Sequence, residues 1–99
     1  MQKLNVYVLY DTASSQYGLP FFAFNELVAK RQSCITLSSL PIEYWKDFQL
    51  FIAGTYDQDE GQIYRLEDDP DNDLVYGHYL VCGGSELVKF FKEMYKENK

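Results

Sequence analysis

The stretch "KLNVYVLY", residues 3–10, decides the fold prediction. Leu4, Val6, Val8 and Tyr10 alternate with Asn5, Tyr7 and Leu9, and β-branched and aromatic residues are typical of a pleated strand. Both sets are apolar apart from Asn5. An edge strand with one wet face normally alternates apolar with polar residues. We therefore expect a central strand or a strand that contributes to an interface.

Working outward, the next segments predict a loop, a helix and a second strand. Residues 11–18 are predicted as a loop because serine and glycine favour turns. Asn25 is a predicted N-cap for a helix over about Glu26 to Leu37, with Leu27, Val28, Cys34 and Ile35 on its apolar stripe. "LPIEYWKDF" adds a short helical turn after Pro41. "FQLFIAGTY", residues 48–56, is the second clear strand.

The C-terminal half predicts a hairpin, one further strand and a last helix. "DQDEG" is a turn in which Gly61 suits a positive φ, and "QIYRLE" returns as strand three. After the acidic segment 68–73, "LVYGHYLVC" at 74–82 is strand four. Ser85 is predicted to cap a helix whose apolar stripe follows helical spacing. The members of that stripe are Leu87, Phe90, Phe91, Met94 and Tyr95.

The predicted order β-α-β-β-β-α describes an α+β fold. We expect an antiparallel sheet of about four strands with two helices packed on one face. The 99 residues predict a single domain over 1–99. No apolar segment has the length of a membrane span or the form of a signal peptide, so we expect a cytoplasmic protein.

Charge and cysteine content narrow the function classes. Fifteen acidic and nine basic residues give a net charge of −6. The chain therefore lacks the excess of basic residues that most nucleic-acid-binding proteins have. Cys34 and Cys82 lie outside any metal-binding spacing and are predicted to be free, buried and reduced, although one disulfide between them is an alternative.

Catalytic and metal sites are poorly supported by the sequence. His78 and Cys82 are four residues apart in a predicted strand, roughly 13 Å, which is too far for a nucleophile and its base. Counting from Asp57, position 6 of the acidic turn is Gln62 where a calcium-binding loop has glycine, position 12 is Asp68, and predicted strands rather than helices flank the turn. We expect no enzyme activity, no cofactor and no bound metal.

The aromatic residues give the one positive indication of function. The chain has nine Tyr, seven Phe and one Trp. Aromatic residues interleaved with lysine and arginine are typical of proteins that bind single-stranded nucleic acid. A structural role for these rings in the core is the alternative. The candidate nucleic-acid-binding residues are Tyr7, Tyr10, Tyr17, Phe21, Phe22, Lys30, Arg31 and Lys46.

Two segments carry a resemblance to a known family. "LNVYVLYDTASSQYGLPFFAFNELVAKR" at 4–31 and "DFQLFIAGTYDQDEGQI" at 47–63 resemble the small nonstructural protein of gokushovirus-type microviruses, which are single-stranded DNA phages. The matching positions are Tyr10-Asp11, Tyr17-Gly18, Pro20-Phe21-Phe22, Leu50-Phe51, Gly54 and Tyr56-Asp57.

The resemblance implies a nonstructural protein with a role in viral single-stranded DNA replication or synthesis, with DNA binding often assigned to the family. It implies no catalytic residues. Our first hypothesis is therefore a non-enzymatic accessory protein that binds single-stranded DNA. The second is an acidic protein–protein interaction module, either a homodimer or an adaptor to a viral or host replication protein.

Overall fold

The structure is a computed structural model that describes residues 3–66, 74–75 and 78–97. Its described elements, in chain order, are seven strands, two α-helices and one 3-10 helix. They are β1 (Lys3–Asp11), β2 (Gln16–Tyr17), β3 (Phe21–Ala23), α1 (Glu26–Leu37), the 3-10 helix (Ile42–Asp47), β4 (Phe48–Asp57), β5 (Gln62–Arg65), β6 (Leu74–Val75), β7 (His78–Gly83) and α2 (Gly84–Glu97).

The strands form one antiparallel sheet in the order β2-β1-β4-β7-β6, with β3 also on β1 and β5 also on β4. The two long strands β1 and β4 form its centre. The outer edge of each long strand pairs with two shorter strands. β2 and β3 pair with different parts of β1, and β7 and β5 pair with different parts of β4. The prediction of β1 as a central strand is confirmed.

The α+β class and the antiparallel sheet are confirmed, but the prediction of about four strands is wrong. Residues 16–17 form a short strand within the predicted loop 11–18, and residues 21–23 form another in a segment to which no element was assigned. The predicted strand over 74–82 is two strands, with Val75 opposite His78. Apolar residues stand in both strands, so hydrophobic periodicity alone did not separate them.

A buried cluster joins one sheet face to the helices. It contains Tyr7, Leu9 and Leu50 from the sheet, Cys34 and Leu37 from α1, Trp45 from the 3-10 helix and Leu87 from α2, together with Ala23, Ala29 and Cys82. Both helices therefore lie on the same face, as predicted. Trp45 is 2% exposed and packs edge-on against Phe91 at 5.1 Å between ring centroids.

The start of α1 is as predicted, whereas its packed face differs. The Asn25 side chain accepts a hydrogen bond from the Val28 N–H at 2.9 Å. Leu27 and Ile35 were predicted on the apolar stripe, but they are 54% and 59% exposed. The buried stripe is instead Ala29, Ser33, Cys34 and Leu37. Three of these are small residues, which let the helix approach the sheet closely.

The buried Ser33 is one reason why the pattern of apolar residues did not predict the packed face of α1. Its hydroxyl donates to the Ala29 carbonyl one turn earlier at 2.8 Å. A buried hydroxyl that is satisfied within its own helix can occupy a core position without the cost of a lost hydrogen bond. Ser33 was not among the residues predicted for the apolar stripe, although it is buried.

The start of α2 is set by backbone proximity rather than by a serine cap. The helix begins at Gly84, so the predicted cap Ser85 lies in its first turn. A Cβ atom at Gly84 would overlap the carbonyl oxygen of Trp45. Glycine is thus required where the helix passes the 3-10 helix.

The hairpin between β4 and β5 closes as predicted. Gly61 adopts a φ of 67°, and the buried carboxylate of Asp57 accepts the backbone N–H groups of Asp59 and Glu60 at 2.9 and 3.3 Å. The acid that looked like the first ligand of a calcium loop therefore forms hydrogen bonds that shape the turn.

Candidate functional site: a helix-free aromatic sheet face

The sheet face opposite the helices is apolar and aromatic where an uncovered sheet is normally polar. In the described part of the chain, the three helical elements all pack on the other face. Directly opposed residues share a face, so the strand registers assign the side chains of this second face. The set is Leu4, Val6, Val8, Tyr10, Tyr17, Phe22, Gln49, Phe51, Tyr56, Ile63, Arg65 and Leu80. We call this set the aromatic face.

A cluster of four rings occupies the half of the aromatic face near β2. Tyr17 lies 4.6 Å from Tyr10, 5.2 Å from His78 in a stacked arrangement, and 6.4 Å from Phe51, all between ring centroids. Phe51 also contacts His78 edge-on at 6.0 Å. Phe51 is 4% exposed, whereas Tyr17 is 43% exposed. Tyr17 therefore shields the cluster and offers part of its ring to solvent.

The Tyr17–His78 contact shows that the sheet curls toward this face. Their strands, β2 and β7, are three inter-strand steps apart. At about 4.8 Å per step, a flat sheet would hold the two backbones roughly 14 Å apart. The rings stack because the sheet is concave here and both side chains lean inward. The curl brings β2 and β7 toward each other on this side of Phe51.

A second pair of rings lies toward the other end of β1. Phe22 lies 5.2 Å from Tyr56 between ring centroids and is 46% exposed. Its register partner is Val6, and that of Tyr17 is Tyr10. Val6 and Tyr10 are four residues apart along β1, roughly 13 Å at about 3.3 Å per residue. The two exposed rings can therefore contact different groups of an extended ligand.

The loop that carries Tyr17 is held at both ends. The Asp11 carboxylate accepts the Ala13 N–H at 3.0 Å and the Ser14 hydroxyl at 2.9 Å. The Thr12 N–H and hydroxyl both donate to the Asp47 carbonyl at 2.8 Å. Gly18 N–H donates to the Leu9 carbonyl at 2.8 Å. Tyr17 thus stands on a fixed hairpin, and its orientation is set before any ligand arrives.

The charge on the aromatic face is low and positive. Arg65 lies in register with Gly54, which is itself opposite Val6, so Arg65 is in the same cross-strand row as Phe22. It is the one formally charged residue that the registers assign to this face. Sequence reasoning missed Arg65, although its alternation with Ile63 in the predicted strand three could have placed it.

The eight site residues predicted from the sequence lie on different faces of the structure. Tyr10, Tyr17 and Phe22 lie together on the aromatic face. Tyr7 is completely buried in the helix-side core, and Phe21 stacks on it at 5.8 Å. Lys30 and Arg31 are on α1, and Lys46 is on the 3-10 helix. These three bases belong to the helix side and do not adjoin the exposed rings.

The cysteines are buried in the core, apart from this face. Cys34 and Cys82 are both free and buried, as predicted. Burial raises the pKa of the Cys82 thiol to about 11, and burial also raises the pKa of Cys34. The thiolate is the nucleophilic form of cysteine. Both groups are therefore protonated, and hence poorly nucleophilic, near neutral pH.

Within the described residues, no cluster of His, Cys, Asp or Glu has the arrangement of a metal site. The helices among these residues are likewise too short or too polar to cross a membrane.

The described residues form a small α+β protein whose helices pack on one face of a single antiparallel sheet. A family model described as Phage ORF5 protein matches residues 4–77. The chain belongs to this phage protein family, as the resemblance predicted. Neither a curated protein nor a solved structure matches the chain.

Proposed function

We propose that this phage protein is a non-enzymatic accessory factor of single-stranded DNA replication in the host cytoplasm, and that its aromatic face binds the single strand. The observation that carries the proposal is the pair of half-exposed rings, Tyr17 and Phe22, on an otherwise apolar concave sheet. Single-stranded nucleic acid is bound by base stacking on such rings, without sequence preference.

The rest of the face fits this role. Tyr17 is held by Tyr10 and His78, and Phe22 is held by Tyr56. Preorganised rings lose little conformational freedom on binding, which improves affinity. Arg65, in the row of Phe22, is the group that would contact a phosphate.

Direct titration tests the proposal. We expect a fluorescein-labelled dT20 strand to bind with micromolar affinity at 50 mM salt, measured by fluorescence anisotropy. Tyr17→Ala and Phe22→Ala should each weaken binding by roughly five- to 150-fold, because stacking contributes about 1–3 kcal/mol per base. No binding at 100 µM protein would overturn the proposal.

Two control variants separate stacking from general effects. Tyr44, 57% exposed, lies on the 3-10 helix on the opposite side, so Tyr44→Ala should leave the affinity unchanged. Lys30→Ala with Arg31→Ala removes two positive charges from the helix side and should change the affinity less than either ring variant. Equal losses from ring and control variants would contradict an aromatic site.

A further inference from the structure

We propose that the protein forms a two-fold dimer in which β3 of one copy pairs antiparallel with β3 of a second copy. In the described part of the chain, β1 is the strand partner of β3, so β3 is an edge strand. An edge presents unpaired backbone donors and acceptors that readily accept a further strand. This inference does not depend on DNA binding, but it places Phe22 at the interface, so the variants that test it leave Phe22 unchanged.

The side chains around β3 are unusually exposed for apolar residues. Leu19 is 90% exposed, Phe24 is 63% exposed and Phe22 is 46% exposed. They lie within six residues of one another, on and beside the strand. A contiguous apolar patch of this kind is typical of an interaction surface.

The distribution of charge favours a second copy of the chain as the partner of the β3 edge. The chain carries a net charge of −6, yet residues 12–24, "TASSQYGLPFFAF", contain no Asp, Glu, Lys or Arg. Two copies repel each other wherever acidic surfaces meet, since like charges in contact are costly. The uncharged edge is where two copies can approach without that cost. Natural edge strands avoid self-pairing by short length, proline or charge; β3 is short and follows Pro20, but it carries no charge.

The sequence of β3 is complementary to itself in one register. If the two-fold axis passes beside Phe22, each Phe22 lies opposite the other copy's Phe22, and each Phe21 lies opposite the other copy's Ala23. The first pair is a cross-strand aromatic contact, and such pairs stabilise antiparallel strands. The second pair matches a large residue to a small one on the helix side. A self-complementary patch is the requirement for a two-fold interface.

The interface is small, which sets the expected affinity. A three-residue strand with its apolar flanks is at the low end of specific interfaces. We therefore expect a reversible dimer in the micromolar range. Sedimentation equilibrium between 5 and 500 µM protein should show a monomer–dimer equilibrium for the unmodified chain.

A matched pair of variants locates the contact. Phe24→Lys places a strongly hydrated charge at the edge and should weaken dimerisation at least tenfold, as should Leu19→Lys. Ile35→Lys introduces the same charge at a similarly exposed apolar residue of α1, 59% exposed, and should leave the dimer intact. Circular dichroism checks that all three variants fold.

The possible results discriminate clearly. A chain that is monomeric at 500 µM overturns the inference. A dimer that is unaffected by both edge variants also overturns it and places self-association on another surface. Loss of the dimer in both edge variants, with Ile35→Lys unchanged, supports it.

Discussion

At the scale of single residues, local chemistry was predicted well and packing was predicted poorly. Asn25 and Gly61 act locally: the Asn25 side chain caps a helix N–H three residues away, and Gly61 adopts a positive φ. A short window of sequence therefore suffices to assign them. Tyr7 and Tyr17 are the same residue type in neighbouring segments, yet one is fully buried and the other is 43% exposed. That difference depends on which sheet face the helices cover, which no local window contains.

The buried Cys82 thiol gives a pH-dependent stability that can be measured. Its pKa rises from the ordinary 9.0 to about 11, mainly because burial disfavours the thiolate. Between these values the unfolded chain loses a proton that the folded chain keeps. The contribution of Cys82 to stability is therefore fully present below about pH 9 and is lost as pH rises toward 11. The slope from this group reaches up to about 1.4 kcal/mol per pH unit.

We expect urea unfolding, followed by fluorescence of the single buried Trp45, to show stability falling from pH 9 to 11. In Cys82→Ala the free energy of unfolding should fall less steeply with pH, because the variant lacks one of the groups whose pKa is raised on folding. Cys34 and Tyr7, whose pKa values burial also raises, remain in both proteins and cancel in the comparison. Identical slopes in the two proteins would show that Cys82 does not titrate differently on folding.

At the scale of elements, the long ones were predictable and the short ones were not. α1, β1 and β4 have enough residues for periodicity to show, and each was placed correctly. β2 and β3 have two and three residues, and they exist because the long strand β1 offers them an edge. A strand that is specified by its partner leaves almost no periodic signal of its own.

The packed face of α1 can be tested with two matched truncations. Leu37 is 2% exposed, and Ile35 is 59% exposed. Leu37→Ala should lower the free energy of unfolding by about 2–5 kcal/mol, since it leaves a cavity in the core. Ile35→Ala should change it by less than about 0.5 kcal/mol, as is usual for surface positions. Chemical unfolding of both variants measures the difference, and a larger cost at Ile35 would contradict the packing described here.

At the scale of the whole molecule, net charge does not specify the local charge of the candidate site. The value of −6 argued against nucleic acid, and the bases nearest in sequence to the rings were taken as their partners. In the folded chain Lys30, Arg31 and Lys46 lie on the helix side, while Arg65 shares the face with Phe22. Three of the predicted site residues, Tyr10, Tyr17 and Phe22, share the aromatic face, whereas Arg65 was not among the predicted residues. Assigning that cation requires the β4–β5 register.

This distribution of charge predicts an unusually weak salt dependence for DNA binding. For single strands, the logarithm of the binding constant falls with the logarithm of salt concentration at a slope of about −0.7 per neutralised phosphate. With Arg65 as the cation that the registers place on the face, one or two phosphates are neutralised. We expect a slope between 0 and about −1.5 when dT20 affinity is measured by anisotropy from 50 to 300 mM salt. Arg65→Ala should reduce the slope by about 0.7, whereas Lys46→Ala on the helix side should not change it. A slope steeper than about −3 would mean that the strand lies along a basic surface other than the aromatic face, and it would remove the stacking mechanism proposed for Tyr17 and Phe22.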